Sequence, residues 1–451
     1  MREDWVEVEL GEVCNFIGGG TPSKANPNFW NGILPWASIK DMKGDYLFET
    51  QDYITELGLK SSSTNLALPN EIILATRITP GKPIISTIKT TINQDLKVVK
   101  PKIKIDSKFL FYIFKSYEKD IVKLSSGTTV LGVNLNSLNT IIIPLAPLPI
   151  QRAIVQKIEN YFELLDKGIA DLKTAQEQLK IYRQAVLKKA FEGGFTATAY
   201  NRKDRAHPVS KEENSLPEGW KWVKLNEISK LLSGFAFKSS DFCDEGVPVI
   251  KIANIGYSEF VNKEQQYVPI KFLEENKDYI IYGNDLLIAL TRPITNNTTK
   301  VCLYPNNVGV GLLNQRVACL KNISINKPYL FLFLQTNFFK DYIRSKFSET
   351  LQPNLSPKDL AIVPIPIPQS LNEQHAIVRE IESRLSVCDK VEQSISESLE
   401  KAEALRQSIL KKAFEGKLLS GEEIAQCKQE ADYEPASVLL ERIRKENKHG
   451  K

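Results

Sequence analysis

QRAIVQKIENYFELLDKGIADLKTAQEQLKIYRQAVLKKAFEG, residues 151–193, recurs at 374–416 as QHAIVREIESRLSVCDKVEQSISESLEKAEALRQSILKKAFEG. The offset is a constant 223, and 18 of 43 positions are identical. A repeat this long is no solenoid unit; it indicates duplication of a whole domain together with a helix. In the first copy Ile158, Phe162, Leu165, Ile169, Leu172, Leu179 and Val186 share one stripe with Gln176, Arg183 and Ala190. In the second, Ile381, Leu385, Ile395, Leu399 and Ile409 do so with Cys388, Glu392, Ala402, Arg406 and Ala413. Alternating steps of four and three average 3.5 residues, the spacing of a coiled-coil seam, and neither copy has an interior proline. Gly193 and Gly416 stand where a left-handed residue closes a helix. At about 1.5 Å per residue each helix reaches roughly 60 Å. An ordinary long helix packed on a domain is the plainer alternative.

Outward from these helices the chain reads as an α/β domain over 1–149, a central helix over 150–193 and a polar linker over 194–216. A second α/β domain follows over 217–369, then a distal helix over 370–416 and a tail over 417–451. In the first domain, residues 33–39, 71–76, 84–88 and 92–99 read as strands and 109–124 as a helix. Anchors recur in the second: Trp5–Val13 as Trp220–Ile228, the glycine-rich loop 18–24 as Ser233–Lys238, Thr76-Arg77 as Thr291-Arg292, Asn93-Gln94 as Asn314-Gln315. Between anchors the two domains differ almost completely, as two readers of different targets would. The runs IIIPLAPLP (141–149) and IVPIPIP (362–368), with alternating prolines, lead into the helices as extended rods. If both domains flank one seam, the second helix runs antiparallel to the first and the chain is a pseudo-twofold dumbbell. That arrangement is a ruler, suited to duplex DNA.

Composition limits the alternatives. With 451 residues, 42% hydrophobic and 25% charged, the chain has room for two or three domains. Its net charge of +5 is spread thinly, so nucleic-acid affinity has to come from local patches. Six cysteines without a CxxC pair and three scattered histidines argue against a metal site or a disulfide framework. The charged start MREDWVEVEL has no apolar signal core, and no apolar run approaches a membrane span; a cytoplasmic protein is expected.

The loop GGTPSK at 19–24 with FWNGILPW at 29–36, the proline-rich lead-ins, the Gln-x-Ala-Ile-Val helix starts, the Lys-Lys-Ala-Phe-Glu-Gly ends and the tail EPASVLLERI at 434–443 together carry a resemblance. The chain resembles the specificity subunits of type I restriction-modification systems over nearly its whole length. The resemblance implies two target-recognition domains, each reading one half of a bipartite, asymmetric duplex site. It also implies antiparallel helices that set the unspecified spacer and dock two adenine-N6 methyltransferase subunits, and through these the restriction subunits. S-adenosylmethionine, ATP and Mg would belong to the partner subunits, leaving this chain non-catalytic and without a cofactor. Ser370 and Glu373 offer a capping box to the second helix; the first helix has none.

Duplex DNA asks for phosphate donors and for amide or guanidinium groups at base edges. Lys100, Lys102 and Lys104 alternate along a candidate strand, giving either a phosphate-contacting stripe or a solvated face. Arg77 and Arg292 follow apolar runs, as base or phosphate contacts or as structural ion pairs. Asn296, Asn297 and Lys300 form a loop rich in base-edge chemistry. Thr21, Ser23 and Lys24, with Lys82 in the first domain and Lys238 in the second, belong to or neighbour loops whose glycines permit close approach to a phosphate chain. Thr128, Thr129, Gln352 and Arg316 complete the candidate DNA-binding set; Asn93 and Asn314 read better as buried braces. The element Asn26-Pro27-Asn28-Phe29 superficially resembles an amino-methyltransferase motif but lacks its second proline. There is no GxGxxG or GxxxxGK[ST] loop. A protein-binding scaffold and a self-contained methyltransferase are the competing readings.

Overall fold

The computed structural model describes residues 3–127, 130–195, 216–347 and 353–449. They fall into two units: Met1–Leu172 with Glu397–Lys451, and Lys173–Ser396.

In the first unit a five-stranded sheet has the order Cys14–Gly18, Leu96–Pro101, Ile72–Ala75, Pro83–Ser86, Tyr46–Leu47. A second sheet runs Asp52–Ile54, Trp30–Ala37, Thr90–Ile92, Asn65–Ala67. In the second unit the corresponding orders are Lys230–Ser233, Val317–Lys321, Leu286–Ala289, Val301–Leu303 and Gln266–Val268, Val247–Ile250, Gly311–Leu313, Ile280–Ile281. Each second sheet contains the same single parallel pairing, Trp36 with Thr91 and Val249 with Leu312. The two units therefore share one mixed α/β topology. The expected strand over 92–99 is two strands, because Asn93 and Asp95 form a tight turn in which the Asn93 Oδ1 accepts from the Asp95 N–H at 3.1 Å.

The proline-rich lead-ins are strands, not free rods. Ile142–Leu145 pairs antiparallel with Val6–Glu9, and Pro364–Pro368 with Trp220–Lys224. Prolines at 364, 366 and 368 remove N–H groups from one edge only, which suits a two-stranded ribbon.

The long helices are Leu148–Phe191 and Leu371–Phe414, 44 residues each. Pro149 in the first turn loses nothing by lacking an N–H. Both helices close on a left-handed glycine, Gly193 (φ 78°) and Gly416 (φ 69°). The Gly194 N–H bonds Lys189 and the Lys417 N–H bonds Lys412, each at 2.8 Å. Within each unit the helix segments run antiparallel. In the second, Arg183 meets Asp389 at 2.7 Å while Phe195 lies under Arg384. In the first, Arg406 pairs with Asp166 and lies over Phe162, and Lys157 meets Glu423. The pairs Asp166–Arg406 and Arg183–Asp389 are one interaction seen twice, since their members lie 223 apart.

Ile158, Phe162, Val186, Ile381, Ile395 and Ile409 are buried; Leu165, Ile169, Leu172, Leu179, Leu385 and Leu399 are half-buried. Burial is greatest where the domain sheets and helices add a third wall, and least along the paired helices alone.

The recurring Gln-x-Ala-Ile-Val has a physical cause. Gln151 is fully buried: its Oε1 accepts from the Asp106 N–H at 2.8 Å and its Nε2 donates to the Ala146 carbonyl at 2.7 Å. Gln374 does the same with Asn326 (2.9 Å) and Pro368 (3.1 Å). Asp106 and Asn326 in turn cap the helices Ser107–Lys123 and Lys327–Phe333. One amide thus locks ribbon, domain helix and long helix together. Glu373 forms no capping box; its carboxylate accepts from the Trp220 indole at 3.1 Å. Gln151→Leu strands a buried N–H and a buried carbonyl, so about 2–4 kcal/mol of stability is expected to go, checked by urea denaturation.

The tail belongs to the first unit's core rather than hanging free. Leu419, Cys427, Ala436 and Leu440 are buried there with Phe109, Ile150 and Phe414. No helix among the described residues is long and apolar enough to cross a membrane.

Candidate nucleic-acid interface

In each unit a central strand, Ile72–Ala75 in the first and Leu286–Ala289 in the second, ends in a loop held by the same three backbone bonds. In the first unit the Thr76 N–H bonds the Asp95 carbonyl (2.8 Å), the Ile78 N–H that of Leu131 (2.9 Å), and the Val133 N–H that of Thr76 (2.9 Å). In the second these are Leu290 to Arg316, Arg292 to Pro353 and Leu355 to Leu290, at 2.9, 2.9 and 2.8 Å. Arg77 therefore corresponds to Thr291, Ile78 to Arg292 and Asp95 to Arg316. The sequence echo of Thr76-Arg77 in Thr291-Arg292 is out of register by one residue. Two identical letters attracted the alignment, whereas hydrogen bonds set the equivalence.

The charge at this edge differs between the units. Arg77 pairs with Asp95 at 3.2 Å, and Asp95 also accepts from the Asn93 side chain at 3.1 Å. The structural alternative for Arg77 is thus realised, and Asn93 is a buried brace. In the second unit Arg292 and Arg316 are exposed and have no ion-pair partner among the described residues. A hollow of about 560 Å³ opens beside Arg316, lined also by Thr291, Gln315, Lys346, Asn354 and Asp359.

The lysine stripe does not form. The strand stops at Pro101, so only Lys100 of the three lies on it. Lys100 pairs with Glu71, the Lys102 ammonium donates to the Gly11 carbonyl at 2.5 Å, and Lys104 lies near Asp432 of the tail. Alternation in sequence became no shared face because proline ended the pleat.

Asn296 and Asn297 owe their identity to a turn. Their φ values of 50° and 57° join Ile294–Thr295 to Thr298–Thr299 in a two-residue hairpin, which favours asparagine. Arg344 donates to the Asn297 Oδ1 at 2.6 Å and buried Lys340 to its carbonyl at 2.9 Å, so Asn297 is not free to read a base. Burial lowers the Lys340 pKa. Lys300 is half-buried behind this hairpin.

The glycine loops face protein backbone. A Cβ on Gly19 would lie 2.1 Å from the Asn93 carbonyl oxygen, and one on Gly234 would lie 2.2 Å from that of Asn314. Close approach is needed for this crossing, which explains why glycine and Asn-Gln recur together. Thr21 donates to Gln94, Ser23 accepts through its carbonyl from the Trp30 indole, and Lys24 is exposed. Lys82 is half-buried, while Lys238 is exposed and opens a 3₁₀ turn. Asn26 caps the turn Pro27–Phe29 by accepting from the Asn28 N–H. Thr128, Thr129 and Gln352 lie outside the described residues. Cys14, Cys302 and Cys319 are buried thiols whose pKa burial pushes up to about 12.

Two units of one topology, differing in the side chains at the same loop edge, match a known pattern. The family model described as the type I restriction modification DNA specificity domain matches residues 2–174 and again 217–401. The chain belongs to this family. It is 27% identical to the MjaVIII specificity subunit of Methanocaldococcus jannaschii, over 91% of this chain and 92% of that one. It is 25% identical to the EcoDI specificity subunit of Escherichia coli, over 98% and 95%. Its fold resembles that of the HsdS subunit from Thermoanaerobacter tengcongensis, with TM-score 0.55, 22% identity and coverage of 92% and 98%. A chain from a solved structure of type I R-M complex assembly and conformational transition gives TM-score 0.69 at 21% identity, with the same coverage. This specificity subunit therefore carries a duplicated DNA specificity domain. Its least legible residues were Ile78 and Asp95, which lie in no motif and gain meaning only from the loop edge they share.

Proposed function

We propose that each target-recognition domain reads one half of a bipartite, asymmetric duplex site, and that the long helices set the unspecified spacer. The observation that carries this reading is one loop edge built twice and furnished differently: Arg77, Ile78 and Asp95 in one unit, Thr291, Arg292 and Arg316 in the other. A shared scaffold with distinct side chains at corresponding places suits two readers of two sequences. Modification subunits would dock on helix faces away from the seam. Leu164 and Leu405 are exposed in the first unit, and their repeat partners Val387 and Tyr182 in the second. Equivalent apolar positions on both units suit two copies of one partner. Adenine-N6 methylation, with S-adenosylmethionine, and ATP- and Mg-dependent cleavage would reside in the partner subunits, and this chain would select without catalysing.

The test is selection from a random duplex library with the chain co-purified with its modification subunits. Two short fixed blocks separated by a fixed unspecified gap are expected. Replacing residues 1–145 by another family member's domain should change one block only. Enrichment of neither block by an intact complex would favour a protein-binding scaffold.

A further inference from the structure

We infer that the left-handed residue at the end of each central strand, Ile78 in one target domain and Arg292 in the other, is the residue through which that domain reads a base. The inference rests on the bipartite reading above.

Both residues have positive φ, 67° for Ile78 and 49° for Arg292, at one topological position. Neither is glycine, the residue that fits such backbone without strain, and Ile78 is β-branched, for which this conformation is a genuine outlier. The Thr79 N–H bonds the Arg77 carbonyl at 2.8 Å, closing a strained γ-turn around Ile78. Packing does not explain the choice of isoleucine: Ile78 is 53% exposed, and its neighbours Val130 and Leu131 are 39% and 45% exposed. Strain held at an exposed side chain in both copies points to what that side chain meets.

In the first domain the polar side chains around this residue are engaged. In the second, Asn297 is engaged while Arg316, at the same loop edge, is exposed like Arg292, and the left-handed backbone is what distinguishes Arg292. Arg77 pairs with Asp95, Asn93 braces Asp95, and Asn297 is held by Arg344 and Lys340. Ile78 and Arg292 are exposed and unengaged among the described residues. An isoleucine cannot hold a phosphate, so a role common to both positions is contact with base edges. An isoleucine side chain suits the C5-methyl of thymine, while a guanidinium suits the O6 and N7 of guanine. The local charge agrees. The edge is neutralised by Asp95 in the first domain, but Arg316 replaces that aspartate in the second, where the hollow is lined by two cations, Arg316 and Lys346, and one carboxylate, Asp359.

The experiment compares the wild-type complex with Ile78→Gly and Arg292→Gly in the same library selection. Glycine keeps the left-handed backbone and removes only the side chain, so thermal midpoints should hold or rise. Ile78→Gly is expected to abolish a thymine preference at one position of one block. Arg292→Gly should abolish a guanine preference at one position of the other, each by roughly 5- to 150-fold. If wild type selects two blocks and both variants keep every preference, the inference is overturned and the bipartite reading stands. A uniform loss of affinity without loss of preference would make Arg292 a phosphate contact and overturn the inference for that domain. If wild type selects no bipartite site, both readings fall together.

Discussion

A chain ending at Gly416 is expected to lose its first target domain while keeping its second folded. The tail supplies Leu419, Cys427, Ala436 and Leu440 to the first unit's core and nothing to the second unit's. Removing that apolar cover costs on the order of 5 kcal/mol before any polar contact is counted. The polar contacts fasten the tail to the start of the same unit and to its long helix. The Ala436 N–H bonds the Asp4 carbonyl at 3.0 Å, Tyr433 donates to the Asp4 carboxylate at 2.5 Å, and Lys428 meets it at 2.9 Å. Arg152 pairs with Asp432 and Lys157 with Glu423. A loss of this size is comparable with the whole stability of a domain. Hydrogen exchange should show Leu96–Pro101 unprotected in the truncated chain while Val317–Lys321 remains protected. Equal protection of both strands would mean that the tail is dispensable.

The same fastening predicts sensitivity to acid. The Tyr433 hydroxyl and Lys428 ammonium hold the Asp4 carboxyl below its ordinary 3.8, and Lys157 with Ser420 likewise lowers Glu423. Both folded values lie below the unfolded ones, so their contribution is full above the ordinary carboxylate range. It is lost as pH falls through the lower folded values. The stability difference between full-length and truncated chains should accordingly shrink in acid, at pH below about 4.

Much of the architecture was legible because it rests on periodicity. The 3.5-residue stripe, the proline-free interior and the closing glycines gave both helices to within a few residues, since each is a local rule repeated many times. The domains were legible through recurrence of Gly19 and Gly234 with Asn93 and Asn314, although the reason, one backbone crossing closely over another, was not. The interface was harder to read. Lys100, Lys102 and Lys104 looked like a face until Pro101 ended the strand, and Asn296-Asn297 looked like a reader until its φ values made it a hairpin turn. Arg77 and Arg292 looked equivalent by letter but are not equivalent by hydrogen bond. Residue type carries information about chemistry, whereas register and partner are properties of the fold.

The repeated Lys-Lys-Ala-Phe-Glu-Gly gives the second large expectation. Phe191→Ala and Phe414→Ala should each cost about 3–5 kcal/mol, and each in a different unit. Ala190 and Ala413 are fully buried, the lysines before them are exposed, and the phenylalanines are the last apolar side chains before the left-handed glycines. The Phe191 ring packs edge-on against Tyr329 at 4.9 Å and Phe333 at 5.4 Å. Phe414 packs against Phe109 at 5.5 Å. These rings come from the helices that Asn326 and Asp106 cap and that the buried glutamines anchor. Each domain is thus gripped by the amino-terminal end of one long helix, through glutamine, and by the carboxy-terminal end of the other, through phenylalanine. Exchange protection should fall in Val317–Lys321 for Phe191→Ala and in Leu96–Pro101 for Phe414→Ala, with leucine at either site restoring part of it. Equal loss in both units from either variant would contradict this division. Near the melting point of the weakened unit, Phe414→Ala is expected to erase only the half-site read by the first domain, because the second keeps both of its grips.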